Sequence, residues 1–317
     1  KSIYLCELNN NQIEIKWEYK LPKKYTGYIA DVLIENFDNN NQKEIILLIH
    51  KDSNESEFYI FKIIDNNISI KPDIISKIKN KQFKITQPRK MYLVDWDNNN
   101  DFEFIIVQGS PNRSITVYDL YNNEINGIEN IGKEFIENSF GPILISIGDF
   151  DGDKITDIFI LNNSLEPNGK FIYSDGKTKT FKIKQLPRIK WLKSKAEDFN
   201  NDGSDDLLMI SKDGQLISNL WNEFLTLSNM DIINAKAINN NIITIYQIDQ
   251  FGKLGIFTID PIANAILSSV FDTAGFSTNN YEKISSLFLE NSAIIYNNGN
   301  KNELWKLHSV EISNNIF

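Results

Sequence analysis

DFDGDKITD, residues 149–157, is the stretch that decides the fold. The apolar run PILISIG ends at this acidic, Gly-containing turn, and a second apolar run, DIFILNN, begins at its last carboxylate. Three more nonapeptides repeat the arrangement: NFDNNNQKE from Asn36, DWDNNNDFE from Asp95 and DFNNDGSDD from Asp198. Every copy carries an oxygen-bearing side chain at positions 1, 3, 5 and 9. Carboxylate and amide oxygens alternating around a tight turn suit a hard cation that takes roughly six to eight oxygens, which is calcium.

The copies start 59, 54 and 49 residues apart. A recurrence on that scale marks a repeat architecture, here with the length of a four-stranded blade. The flanks agree. YIADVLIE, RKMYLVD, PILISIG and WLKSKAE precede the turns, and EIILLIH, FEFIIVQ, DIFILNN and DLLMISK follow them. These runs are short, β-branched or aromatic, and bounded by Asn, Asp and Gly, as strands joined in hairpins are. After residue 230 the acidic turn fades while the strand rhythm persists through AINNNIITIYQID and SLFLENSAIIYNNG. The expectation is a single all-β domain over residues 1–317, a β-propeller of six or seven four-stranded blades. Its calcium-loop blades span about residues 28–230 and its degenerate blades about 231–317. SIYLCEL and IEIKWEY at the N-terminus are expected to pair with LWKLHSVEI near the C-terminus, closing the ring and removing free sheet edges. Short helices are expected only within 124–138 and 219–227.

Composition excludes several classes. A net charge of −9 is wrong for a nucleic-acid partner, because a phosphate-binding face needs clustered Lys and Arg. No apolar run reaches the roughly 18 residues of a membrane span, so direct membrane insertion is not expected. Cys6 is the only cysteine, which rules out an internal disulfide and fits a small core residue. The chain opens on Lys1, as a processed or trimmed product would. Asn-x-Ser/Thr sequons at Asn54, Asn67, Asn112 and Asn162 are no more than an Asn-rich chain produces by chance.

Candidate chemistry is sparse. His50 and His308 each lie in a strand-like run with no Cys or second His at ligand spacing, and read as structural or surface residues. No Ser–His or Cys–His constellation is visible for nucleophilic catalysis, and no Gly-rich phosphate loop precedes a helix. Paired carboxylates for glycoside chemistry stay open, since Asp and Glu are plentiful. Trp17, Trp191, Trp221 and Trp305 lie in or beside strands and read as core, although tryptophans also serve as sugar-stacking surfaces.

An EF-hand also spaces oxygens along a turn, but it needs Glu at position 12 and flanking helices. Position 12 here is Leu47, Ile106, Ile160 or Met209. The arrangement, best seen in SFGPILISIGDFDGDKITDIFI at residues 139–160, instead resembles the FG-GAP repeat family. These are integrin-α-type calcium-binding β-propellers whose relatives carry VCBS repeats. The resemblance covers roughly residues 28–212. It implies that each loop joins the first two strands of a blade, with calcium held by side chains at positions 1, 3, 5 and 9 and a backbone carbonyl at position 7.

Carried over, loop three offers Asp149, Asp151, Asp153 and Asp157 with the carbonyl of Ile155. Loop four offers Asp198, Asn200, Asp202 and Asp206 with Ser204, and loop two offers Asp95, Asp97, Asn99 and Glu103 with Asp101. Loop one offers Asn36, Asp38, Asn40 and Glu44 with Gln42. Position 6 needs a residue that tolerates a left-handed backbone; Gly203, Asn100 and Asn41 comply and Lys154 departs. Glu103 and Glu44 stand where the family has Asp. In Trp96 the resemblance places an aromatic packing beneath the metal. Up to four structural calcium ions are expected, strongest at loop three and weakest at loop one, since affinity follows ligand charge. The resemblance implies a non-enzymatic, secreted or extracellular recognition and adhesion module that binds a protein partner. A carbohydrate-binding, lectin-like propeller is the alternative, and a polysaccharide lyase a more remote one.

Overall fold

A computed structural model of the chain describes residues 2–9, 12–22, 27–38, 40, 42–51, 56–64, 67–78, 85, 87–109, 113–121, 124–133, 136, 143–162, 168–181, 191–211, 215–221, 225–226, 231–238, 242–248, 253–260, 263, 265–273, 284–289, 292–297 and 306–311. These fall into two compact units, residues 1–143 with 174–176, and residues 144–173 with 177–317. Among the described residues no helix is long and apolar enough to cross a membrane.

In the first unit, β1 (Ser2–Asn9) and β2 (Gln12–Lys20) form an antiparallel hairpin of their own. Two antiparallel meanders follow: β3 (Tyr28–Glu35), β4 (Glu44–His50), β5 (Ser56–Ile64) and β7 (Ile74–Ile78), then β8 (Pro88–Val94), β9 (Glu103–Gln108), β10 (Ser114–Tyr121) and β11 (Glu124–Asn130). The short β6 (Asn67–Ile68) hangs on β5. A parallel pairing of β7 with β11 fuses the meanders into one nine-stranded sheet.

The second unit holds separate antiparallel meanders: β12 (Ile143–Gly148) to β13 (Asp157–Asn162), β14 (Asn168–Ile172) and β15 (Thr178–Phe181); and β16 (Trp191–Glu197) to β17 (Asp206–Ser211), β18 (Gln215–Ser218) and β19 (Leu225–Thr226). β20 (Asp231–Ile238), β21 (Ile242–Ile248), β22 (Lys253–Asp260) and β23 (Ala265–Thr273) form a third. β24 (Ile284–Leu289), β25 (Ser292–Asn297) and β26 (Lys306–Glu311) form a three-stranded sheet.

The chain is therefore all-β, with a propeller-like arrangement of four-stranded meanders. Counted as separate sheets of four or more strands among the described residues there are four, fewer than the six or seven blades expected. The reasons are the β7–β11 pairing, which a sequence pattern of strand and turn cannot reveal, and a last sheet with only three described strands. Within 124–138, where a short helix is expected, residues 124–130 form β11, and Lys133 and Ile136 after it are helical, the Ile136 N–H donating to the Gly132 carbonyl at 3.0 Å. Of the stretch at 219–227, Leu225–Thr226 form β19, and residues 222–224 and 227 lie outside the described residues.

The second strand of each turn-bearing meander is buried on both faces, which is why it reads as an unbroken apolar run rather than an alternating one. In β4 every residue is buried. Ile46 and Leu48 face a cluster with Phe58, Ile60, Met91, Phe104, Ile106 and Tyr118, while Ile45, Leu47 and Ile49 face Trp17, Tyr19, Tyr59 and Phe61. Each such side chain contributes roughly 1.5–3 kcal/mol by leaving water. In the second unit, Phe159 and Leu161 pack with Phe171, Leu207, Met209 and Ile217. Gly169 makes room there, since a Cβ would lie 2.8 Å from the Phe159 ring.

Candidate metal centre

All four nonapeptides sit where the sequence puts them, between the first and second strands of a meander: β3–β4, β8–β9, β12–β13 and β16–β17. Their side chains fold back on their own backbone in the same way. The position-9 carboxylate is buried in every copy, Glu44, Glu103, Asp157 and Asp206 being at most 3% exposed. Each accepts the N–H of position 2: Phe37 to Glu44 Oε2 at 3.1 Å, Trp96 to Glu103 Oε2 at 2.7 Å, Phe150 to Asp157 Oδ2 at 2.8 Å and Phe199 to Asp206 Oδ2 at 3.2 Å. The position-5 oxygen accepts the N–H of position 7 in each copy, at Asn40, Asn99, Asp153 and Asp202. This is the Asx-turn habit of Asn and Asp.

Position 1 separates the copies. Asp149 receives Gly152 N–H at 2.7 Å and Lys154 N–H at 2.8 Å. Asp95 receives Asn99 and Asn100, both at 3.0 Å, and Asp198 receives Asp202 at 3.2 Å and Gly203 at 3.0 Å. That clasp forces a left-handed backbone at two positions. At position 6, φ is 70° for Asn100, 70° for Lys154 and 92° for Gly203; at position 4 it is 57° for Asn98, 82° for Gly152 and 59° for Asn201. Lys154 adopts the conformation despite its side chain. The need at position 4 was not anticipated, although Asn or Gly stands there in all four copies. Asn41 lies outside the described residues.

The carboxylates converge to different degrees. Ligand oxygens of Asp95, Asp97 and Glu103 all lie within 4.8 Å of one another, as do those of Asp149, Asp151 and Asp153. Burial pushes the Glu103 carboxyl up to about 7; the Trp96 N–H opposes the shift, and Asp97, Asp95 and Asp119 add repulsion. Burial likewise lifts Asp206 to about 6, opposed by Asn219 and Phe199 and aided by Asp202 and Asp198. Ionised carboxylates crowded at low dielectric are costly without a counter-ion, which is the electrostatic condition for a bound cation. Loops two and three fit calcium: an all-oxygen donor set gathered on a turn rigidified by its own amides. When bound there, the ion supplies the charge that neutralises these carboxylates.

Loop four is engaged otherwise. Asp206 Oδ1 accepts Asn219 Nδ2 at 3.1 Å, and Asn200 donates to Asp202 Oδ2 at 2.9 Å. It is also tied to loop three: Asp149 N–H donates to Asp205 Oδ2 at 2.9 Å, and Asp205 N–H donates to the Asp149 carbonyl at 2.6 Å. In loop one, Lys62 Nζ pairs with Asp38 Oδ2 at 3.2 Å. There burial raises the Glu44 carboxyl, with the Phe37 N–H opposing, Asp38 adding and Lys62 again opposing.

Outside the loops, the structure brings together a pair the sequence did not announce. His50 Nδ1 lies 3.2 Å from Ser56 Oγ, and that hydroxyl donates to the Ile85 carbonyl at 3.2 Å. With its proton committed to a carbonyl and both residues buried, Ser56 is a structural polar contact, not a nucleophile activated by His50. His308 lies in β26, and its side chain is outside the described residues. Trp17 and Trp221 are buried, as core residues should be. Trp96 is half-buried and donates its Nε1–H to Glu129. Trp305 and the side chains of Trp191 and Cys6 lie outside the described residues.

No protein-family model matches the chain, and no curated protein matches it. Among solved structures, it is similar to BBS1N in complex with ARL6DN, with a TM-score of 0.54, 10% identity, and coverage of 92% of this chain and 84% of that one. It is also similar to a candidate 6-phosphogluconolactonase from Bacteroides uniformis, with a TM-score of 0.50, 9% identity, and coverage of 88% and 84%. Likeness at such identity shows the fold alone and defines the class: an all-β protein of the β-propeller kind.

Proposed function

We propose that the chain is a calcium-stapled β-propeller of the FG-GAP/VCBS type that serves as a non-enzymatic recognition module for a protein partner outside cells. The observation that carries this reading is the shared employment of the loop carboxylates. In loops two to four, positions 1 and 9, the residues a catalytic reading would need, are committed to backbone N–H groups of their own turns. Such groups hold a hairpin, and a metal ion among them would tie two strands without doing chemistry. In this reading the six meanders are six blades, with β7 and β11 a local contact between two of them. Open, surface calcium sites of extracellular modules bind in the range of about 0.1–1 mM, so they fill outside cells and stay empty in the cytosol.

A glycan array probed with the purified chain, in calcium and again in chelator, tests the choice of partner. Silence from folded protein is the expected result. Calcium-dependent binding to one glycan class would replace the protein partner with a carbohydrate.

A further inference from the structure

Loop one departs from the other three by more than its missing position-1 carboxylate. Across the β4–β5 ladder, the residue directly opposite the position-9 carboxylate Glu44 is Lys62. Side chains of directly opposed residues share a face and touch. Continuing the ladders by one pair from Phe104–Tyr118 and from Ile158–Ile172 puts Asp119 opposite Glu103 and Tyr173 opposite Asp157. In loop four the same continuation puts Leu220 opposite Asp206, and the amide that reaches Asp206 comes from the neighbouring Asn219, opposite Leu207. Opposite the position-9 carboxylate the other loops thus have a carboxylate, a phenol and a leucine flanked by an amide, where loop one has an ammonium. That ammonium, on a side chain 36% exposed, pairs with Asp38, the position-3 oxygen donor, at 3.2 Å. Asn36 Oδ1 and Glu44 Oε1, donors of positions 1 and 9, are buried with no hydrogen-bond partner. An ammonium carries only donors, and more of them than its single bond to Asp38 uses.

We propose that loop one is filled by the chain's own cation: the Lys62 ammonium takes the place of a metal ion and keeps this hairpin closed when calcium is absent. One positive charge on a flexible stem suits a loop with two carboxylates, Asp38 and Glu44, whereas a divalent ion there would face both a thinner donor set and the charge of Lys62. The cross-strand residue of each blade thereby decides whether its turn depends on calcium. The contrast rests on the calcium reading of the other loops.

The test is calcium stoichiometry by titration calorimetry for the wild type, Lys62→Gln and Lys62→Arg, with melts of all three in chelator. Lys62→Gln is expected to take up one more ion than the wild type and to melt lower in chelator, while Lys62→Arg matches the wild type in both. Calcium uptake by the wild type with no additional ion in Lys62→Gln would overturn the inference and leave the calcium reading standing. If no variant takes up calcium, the calcium reading fails. The counter-ion role is then decided by the chelator melt, and equal melting of Lys62→Gln and Lys62→Arg would overturn it.

Discussion

Loops one and three share a turn and differ in what closes it. Both bury a position-9 carboxylate against the N–H of an aromatic residue at position 2, and both make the same Asx bond from position 5 to position 7. In loop three a carboxylate at position 1 clasps two backbone N–H groups and joins Asp151 and Asp153 in one cluster of oxygens. In loop one the corresponding residue is Asn36, its oxygen is unpartnered, and Lys62 stands against Asp38. The shared hydrogen bonds from position 2 to position 9 and from position 7 to position 5 show that these contacts form without gathering charge. Excess charge is a separate property, set by position 1 and by the strand across the ladder, and in the proposed reading it is what calls for calcium.

The largest effect expected is at Asp149. Asp149→Ala removes the clasp and a proposed ligand together, and should abolish loop three's share of the calcium-induced rise in stability, about 3 kcal/mol for a site held at a hundred times its dissociation constant. Asn36→Ala should leave the calcium response unchanged. Chemical denaturation of both variants in calcium and in chelator checks the pair, and equal responses would erase the distinction between the loops.

Next in size is the backbone. Gly152→Ala places a Cβ at φ 82° and 2.8 Å from Ser204 Oγ, and should cost about 1–2 kcal/mol. At position 6 of the same loop Lys154 already bears that strain at φ 70°, so Lys154→Gly should recover about 1 kcal/mol. Urea midpoints of the two variants measure both.

The smallest effect is the pH response of calcium-free protein. The folded-state values of about 7 for Glu103 and about 6 for Asp206 lie above the ordinary carboxylate range. Folding then favours the protonated forms. Their contribution is fully present below about pH 4 and is lost as the pH rises through 6 to 7. Melting temperature in chelator should fall across that window and flatten in saturating calcium. A melting temperature that rises there in chelator would contradict the electrostatics of loops two and four.

Much of this was legible in the chain. The four turns, the strands on either side and the all-β class follow from oxygen spacing and apolar runs, because both are local properties. What stayed hidden was set by register. That Lys62 faces Glu44, that Asn219 reaches Asp206 and that Asp205 bonds Asp149 depend on which residues the ladders and neighbouring meanders oppose. The β7–β11 pairing that merges two meanders is likewise a long-range contact without a local signature. The strand at 124–130 is held by its pairing with β10, and the helical residues Lys133 and Ile136 come only after it. The left-handed residues at position 4 were readable, since Asn or Gly recurs there, but only once the clasp by position 1 is known.

The central claim, that these turns are metal staples, is tested most directly by differential scanning calorimetry of the unmodified chain in calcium and in chelator. The expected result is a higher and sharper transition in calcium. Superimposable transitions, with neither the midpoint nor the cooperativity altered, would contradict it.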